Sequence, residues 1–282
     1  MSKHQMSFYL KFLLGLPLPP VDTDDQRCPC GLQLDPFAHH RINCKQWAGR
    51  SWKSAHDTVQ RALGYELRRL TLSVVDNDNQ LRRRYSHLTS QKRGDLAVNA
   101  DSTDLQVLIS GSRPTSQFII DVHLNAMVTG NGIWAGTFNT ETGEYDSYTL
   151  SQKELHKTAK HAQHYANIGF GFVPFVASCY GVFGQSASRL LMALASLELR
   201  QHDQLRSRTG LDPIVDESAR SQFRSLCLRQ SSARIGSALA KATVQRLLAI
   251  PHLPAASDPL PNSALARNRP GPADFLPPSL PF

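Results

Sequence analysis

Residues 117–128, "QFIIDVHLNAMV", carry the strongest strand signal in the chain, an aromatic and β-branched run that leads directly into Asp121. Such side chains suit a pleated, packed surface. Upstream, "LTLSVVD" (70–76), "RGDLAVNA" (93–100) and "TDLQVLIS" (103–110) read as three more strands separated by polar linkers. Downstream, "GIWAGTFNTETGEYDSYTL" (132–150) reads as a hairpin or an irregular insertion turning at "ETGE". Residues 151–167 predict a polar helix, with Ser151 as N-cap and Glu154 at capping-box spacing. The chain returns in "FGFVPFVASCYG" (170–181), a buried strand whose Pro174 points to an edge or a bend.

Helices flank this set. From Trp47 to about Leu72, the residues Trp52, Val59, Leu63 and Leu67 recur at helical spacing with basic side chains on the remaining surface. One face of that helix suits a core and the other a phosphate backbone. Residues 185–205 predict an amphipathic helix, and 217–250 a long one in one or two pieces. Helix, strands, helix, strand, helices is the order of an α/β domain with helices against a central mixed sheet. The expected organisation is a lead-in (1–22) stopped by its prolines, a metal-stapled module (23–46), the α/β domain (47–204), a helical extension (205–249) and a Pro-rich tail (250–282). That tail has too little periodic apolar surface to fold, so disorder is expected there.

A formal charge of +8 and a pI near 9.4 favour an anionic partner, a nucleic acid or a membrane surface. No apolar run approaches the roughly 18 residues of a spanning helix, which argues against an integral membrane protein. Without a secretory signal the expected compartment is the nucleus or the cytoplasm, with the nucleus favoured if the target is chromosomal DNA. No GxGxxG follows the first strand and there is no nucleophile elbow, which sets oxidoreductase and acyl-transfer chemistry aside.

Two groups of residues carry chemistry. Cys28, Cys30, His40 and Cys44 crowd four soft ligands around a glycine turn in "CPCGLQLDPFAHHRINC", as a small structural Zn²⁺ site requires, with His39 competing as third ligand. Five cysteines and no signal make a disulfide the weaker account, and Cys179 and Cys227 read as buried free thiols. Asp95 opens the strand "LAV" and Asp121 ends the run "FII". Two carboxylates at the ends of adjacent strands can converge on one Mg²⁺ or Mn²⁺. His123 falls on the same strand face as Asp121 and could orient water or take a third position. The helix after the insertion offers Lys157, His161 and Tyr165 on one face and Lys160 and His164 on another about 60° away. The sequence leaves open which face meets the carboxylates.

Together these features resemble the restriction-like endonuclease region, of the PD-(D/E)xK nuclease superfamily, at the C-terminal end of non-LTR retrotransposon reverse transcriptase polyproteins. The resemblance spans about residues 14–200. "CPCG" and "HHRINC" match its CCHC zinc-knuckle-like segment, and "GRSWKSAHD", with Arg50 and His56, its following basic segment. "KRGD", ending at Asp95, and "IIDV", with Asp121, match the two acidic motifs, although Gly94 replaces a proline. "HAQHY" stands where the family has a "KxxKY" helix, placing His161 and His164 at lysine positions. "FVPFVASCYG" and "GQSASRLLMALASLEL" match the later strand and apolar helix. The resemblance implies a restriction-endonuclease-like mixed sheet flanked by helices, with Asp95 and Asp121 holding the metal and Lys157 or Lys160 meeting the phosphate. No polymerase palm precedes Cys28, so the expectation is a standalone or truncated domain derived from such an element.

Three function classes follow. The first is a metal-dependent DNA endonuclease in which Arg50, Lys53, His56, Arg82, Arg83, Arg84, Lys92 and Arg93 contact the nucleic acid, with RNA as the alternative partner. Arg82–Arg84 read equally well as a solvated loop. The second is a binding module with the same fold and no catalysis, and the third a structural or protein-interaction domain.

Overall fold

In the computed structural model the described residues are 1–18, 27–28, 30–32, 34, 37–70, 72–75, 94–99, 116–126, 138–139, 144–145 and 148–248; for 45–52, 138–139, 144–145 and 148 the description is of the backbone. The expected strand at 103–110 and the Pro-rich tail lie outside them. The elements are α1 (Lys3–Leu13), α2 (His39–Asn43), α3 (Lys45–Arg69), β1 (Ser73–Val75), β2 (Leu96–Asn99), β3 (Gln117–Asn125), β4 (Phe138–Asn139), β5 (Glu144–Tyr145), α4 (Tyr148–Ala166), β6 (Gly171–Ser178), α5 (Gln185–Arg208) and α6 (Glu217–Leu248).

Among the described residues, four strands form one mixed sheet in the order β1-β2-β3-β6. β2 pairs antiparallel with both β1 and β3, whereas β6 runs parallel to β3, with Asp121 opposite Pro174. Among the described strands β6 is an edge, where a proline costs no ladder bond on its outer side. β4 and β5 form a separate short antiparallel pair within the insertion.

Both faces of the sheet are covered, which is why β3 and β6 read as unbroken apolar runs rather than alternating ones. On one face Leu96, Val98, Phe118 and Ile120 pack with Val59, Leu63 and Leu67 of α3, Leu190 and Leu194 of α5, and Ile235 and Leu239 of α6. On the other, Ala97 and Ile119 meet Tyr165 of α4 and Phe170. Tyr165 stacks on Phe172 with ring centroids 5.5 Å apart. The helical spacing of α3 thus holds, since Val59, Leu63 and Leu67 are all fully buried.

Of the residues read as a C-terminal extension (205–249), 205–208 complete α5 and Glu217–Leu248 form one unbroken 32-residue helix that ties the described elements together. Its Ile235 and Leu239 enter the main core, while Val244 and Leu247 pack against Phe8 and Phe12 of α1 and Ile42 of α2. Buried Glu66 of α3 accepts from Ser231 Oγ (2.9 Å) and from Arg234, both on α6. Arg69 bridges Glu66 to Glu198 of α5, binding the latter at 2.6 and 2.8 Å. A carboxylate so deeply buried is tolerable only with such partners, and the cluster fixes three helices in one register.

The helix after the insertion departs from expectation at its start. It begins at Tyr148, which places Ser151 inside the helix rather than at its cap. Glu154 instead reaches the N-terminus of α5, where its Oε1 accepts from Ser186 N at 2.9 Å. A capping carboxylate supplied by another helix cannot be read from local spacing.

Candidate metal centre and acidic site

The N-terminal module is built by a turn and a short helix. Gly31, with φ of +86°, reverses the chain after Cys30, a conformation that favours glycine. Helix α2 then carries His40, and Cys44 follows at its C-terminal end. The donor atoms of Cys28, Cys30, His40 and Cys44 all lie within 4.8 Å of one another. Cys28 Sγ is 3.3 Å from Cys44 Sγ, and Cys30 Sγ is 3.2 Å from His40 Nε2. These separations suit a tetrahedron with bonds of about 2.0–2.3 Å, so the cluster can hold a structural metal such as zinc. The competition between histidines is decided for His40, because His39 turns away and stacks on Phe37. Burial and the neighbouring thiols push the Cys28 thiol up to about 12. Arg41 of α2 donates to Leu247 O, and Arg246 of α6 donates back to Ile42 O, so the module is latched reciprocally to the end of α6.

Asp95 and Asp121 are brought together as their strands pair. Asp95 precedes β2 and its N–H donates to Ile120 O at 2.9 Å, while its Oδ2 accepts from Val122 N at 2.6 Å. Gly94 makes this approach possible, since a Cβ there would overlap the Ile119 side chain. Asp121 is buried near the middle of β3, and its Oδ2 lies 2.8 Å from Lys157 Nζ. Burial pushes the Asp121 carboxyl above the usual range; Lys157 opposes the rise and the nearby Asp95 adds to it.

Helix α4 therefore presents its Lys157 face to the carboxylates. His161 and Tyr165 on that face are buried behind it, whereas Lys160 stands exposed on the neighbouring face. His164 meets Tyr165 edge-on at 5.4 Å.

His56, expected only as a nucleic-acid contact, is part of the acidic site. Its Nε2 lies 3.1 Å from Asp95 Oδ2 and its Nδ1 3.3 Å from Asp57 Oδ1. Burial alone would lower this imidazole, but the Asp95 and Asp57 carboxylates outweigh it and raise it to about 9, leaving it cationic at neutral pH. His123 is the opposite case. Burial, followed by the charges of Lys157, Lys153 and His56, holds it near 4 and therefore neutral. Gln60, one turn after His56, donates to Asp95 O at 2.8 Å. His56 and Asp95 are 39 positions apart in sequence, and nothing in their spacing links them.

A cavity of about 650 Å³ adjoins these groups, bordered by Lys53 and His56 of α3, His123 of β3 and Lys153 of α4. Among the other expected nucleic-acid contacts, the side chain of Arg50 and all of Arg82, Arg83, Arg84, Lys92 and Arg93 lie outside the described residues. No described helix is long and apolar enough to cross a membrane. Compared with protein-family models, with curated proteins and with solved structures, the chain matches none.

Proposed function

We propose that this chain is a metal-dependent DNA endonuclease that nicks by phosphodiester hydrolysis, with a restriction-endonuclease-like core and a zinc-stapled N-terminal module. The observation that carries this reading is the meeting of Asp95 and Asp121 from neighbouring strands beside the Lys157 ammonium. The order of helix, strands, helix and strand around them supports it.

The donor set suits Mg²⁺ or Mn²⁺. Two carboxylates, one buried and pushed toward protonation by its surroundings, offer hard oxygens whose crowding a cation would relieve. Such an ion, when bound, neutralises charge on the phosphate and lowers the pKa of a coordinated water. The remaining work falls to the chain. Lys157 places its ammonium where a phosphate oxygen would gather negative charge. His56 and the Val122 N–H fix the rotamer of Asp95. Neutral His123 can hydrogen-bond a water without adding charge.

One observation favours a second reading, a nucleic-acid-binding module without catalysis. Lys157 and His56 each already pair with a carboxylate, which leaves the acidic pair neutralised by the protein itself. Supercoiled plasmid with Mg²⁺ or Mn²⁺ separates the two. The nuclease reading expects nicking that is abolished in Asp95→Ala, in Asp121→Ala and by EDTA. Folded, zinc-loaded protein that retards DNA without nicking it selects the second.

A further inference from the structure

The cavity beside the acidic pair has features that neither a bare cation site nor a flat basic surface would need. Its volume of about 650 Å³ lies within the range of about 300–1,000 Å³ typical of small-ligand sites and far exceeds what one phosphate requires. Its charge is one-sided: Lys53 from α3 and Lys153 from α4 stand exposed at its border. The rest of the lining is of another kind. Leu124 and Ala126 supply apolar surface, and Asn43 and Asn125 supply amides. Ammonium groups, an apolar wall and amide hydrogen-bonding groups are together the complement of a nucleotide: phosphate, sugar and base face, base edge.

We propose that this cavity is a nucleotide-sized subsite for the strand next to the phosphate attacked at Asp95 and Asp121. Lys53 and Lys153 each contact one of the two backbone phosphates flanking the seated nucleotide, and Asn43 and Asn125 contact its sugar or base edge. This rests on the nucleic-acid reading above and extends it to a defined place. His56 and His123 border both the cavity and the acidic pair, so a strand seated in one passes the other. Asn43 gives the N-terminal module a second role, because it lies in α2 between His40 and Cys44. A metal bound there would fix one wall of the subsite.

The test measures binding, not cleavage, with zinc-loaded protein, a fluorescein-labelled 20-base-pair duplex and no added divalent cation. Lys53→Ala/Lys153→Ala is compared with Lys11→Ala/Lys241→Ala, which removes equal charge elsewhere. The expected result is at least a tenfold loss of affinity for the first pair at about 0.15 M salt. Its log–log salt slope should fall by about 1.8, at about 0.9 per lost phosphate contact. The Lys11/Lys241 pair should match wild type, and Asn43→Ala/Asn125→Ala should weaken binding with the slope unchanged. Equal losses in the two lysine pairs, or full affinity in the asparagine pair, overturn the subsite. Parallel nicking assays keep the two readings apart. Wild type that nicks while the lysine pairs bind alike defeats the subsite alone. Wild type that never nicks while binding fails only in Lys53→Ala/Lys153→Ala defeats the nuclease alone.

Discussion

A buried carboxylate is costly unless it is paired, and Asp121 is only partly compensated. Its pKa stays above the unfolded value of about 3.9 despite Lys157 at 2.8 Å. The native state therefore holds the proton more tightly than the unfolded chain does. Ionisation costs stability in full above the folded pKa, and nothing below the unfolded one. Asp121→Asn is thus expected to melt at or above the wild-type temperature at pH 7 without divalent cations, with each kcal/mol worth ~2–4 °C for a chain of this size. The advantage should vanish as pH falls below about 3.9. A lower Tm at pH 7 would mean that the carboxylate serves the fold rather than a ligand. As strand residues the two carboxylates were legible, although Asp121 lies near the middle of β3 and not at its end. That Lys157 rather than Lys160 meets them was not, because a 60° choice of helix face depends on what α4 packs against, here Phe172 through His161 and Tyr165.

At the scale of elements, α4 and α5 are joined by one carboxylate. Glu154 accepts from Ser186 N, with the Gln185 and Ala187 amides adding to its stabilisation, so it satisfies N–H groups that α5 leaves without intrahelical partners. Gly184 is the Ncap of α5, and a Cβ there would overlap the Glu154 carboxylate. Glu154→Ala is expected to cost ~1–2 kcal/mol in denaturant unfolding, the scale of a lost cap. Gly184→Ala should cost a similar amount by driving the carboxylate away. Both act on one contact, so the double variant should lose little more than either single one. Additive losses would show that Gly184 matters for another reason. The capping-box spacing at Ser151 misled because the helix starts one turn earlier, and the acidic residue serves a neighbour distant in sequence.

For the molecule as a whole, α6 decides how the N-terminal module is held. Reciprocal bonds from Arg41 and Arg246, together with Phe8, Phe12, Ile42 and Val244, make the module continuous with the helical layer. If Cys28, Cys30, His40 and Cys44 hold zinc, one equivalent per chain is expected on release by a thiol-reactive mercurial. Chelation should then lower the Tm and make three of the five thiols reactive, those of Cys28, Cys30 and Cys44. Cys179 and Cys227 stay buried in the helical and sheet cores and should react only on global unfolding. Reactivity of all five together would mean that the module does not open independently of the rest.

The sequence by itself determined the α/β order, the helical face of Val59, Leu63 and Leu67, the buried strand carrying Pro174, the four metal-ligand candidates and the two carboxylates. These rest on local periodicity, residue chemistry and backbone restriction, which act within a few residues. Only the tertiary structure decided that His40 rather than His39 joins the cysteines, that His56 grips Asp95, that Lys157 faces Asp121 and that Glu154 caps α5. Each of these depends on side-chain direction across packed elements, which a one-dimensional spacing does not encode.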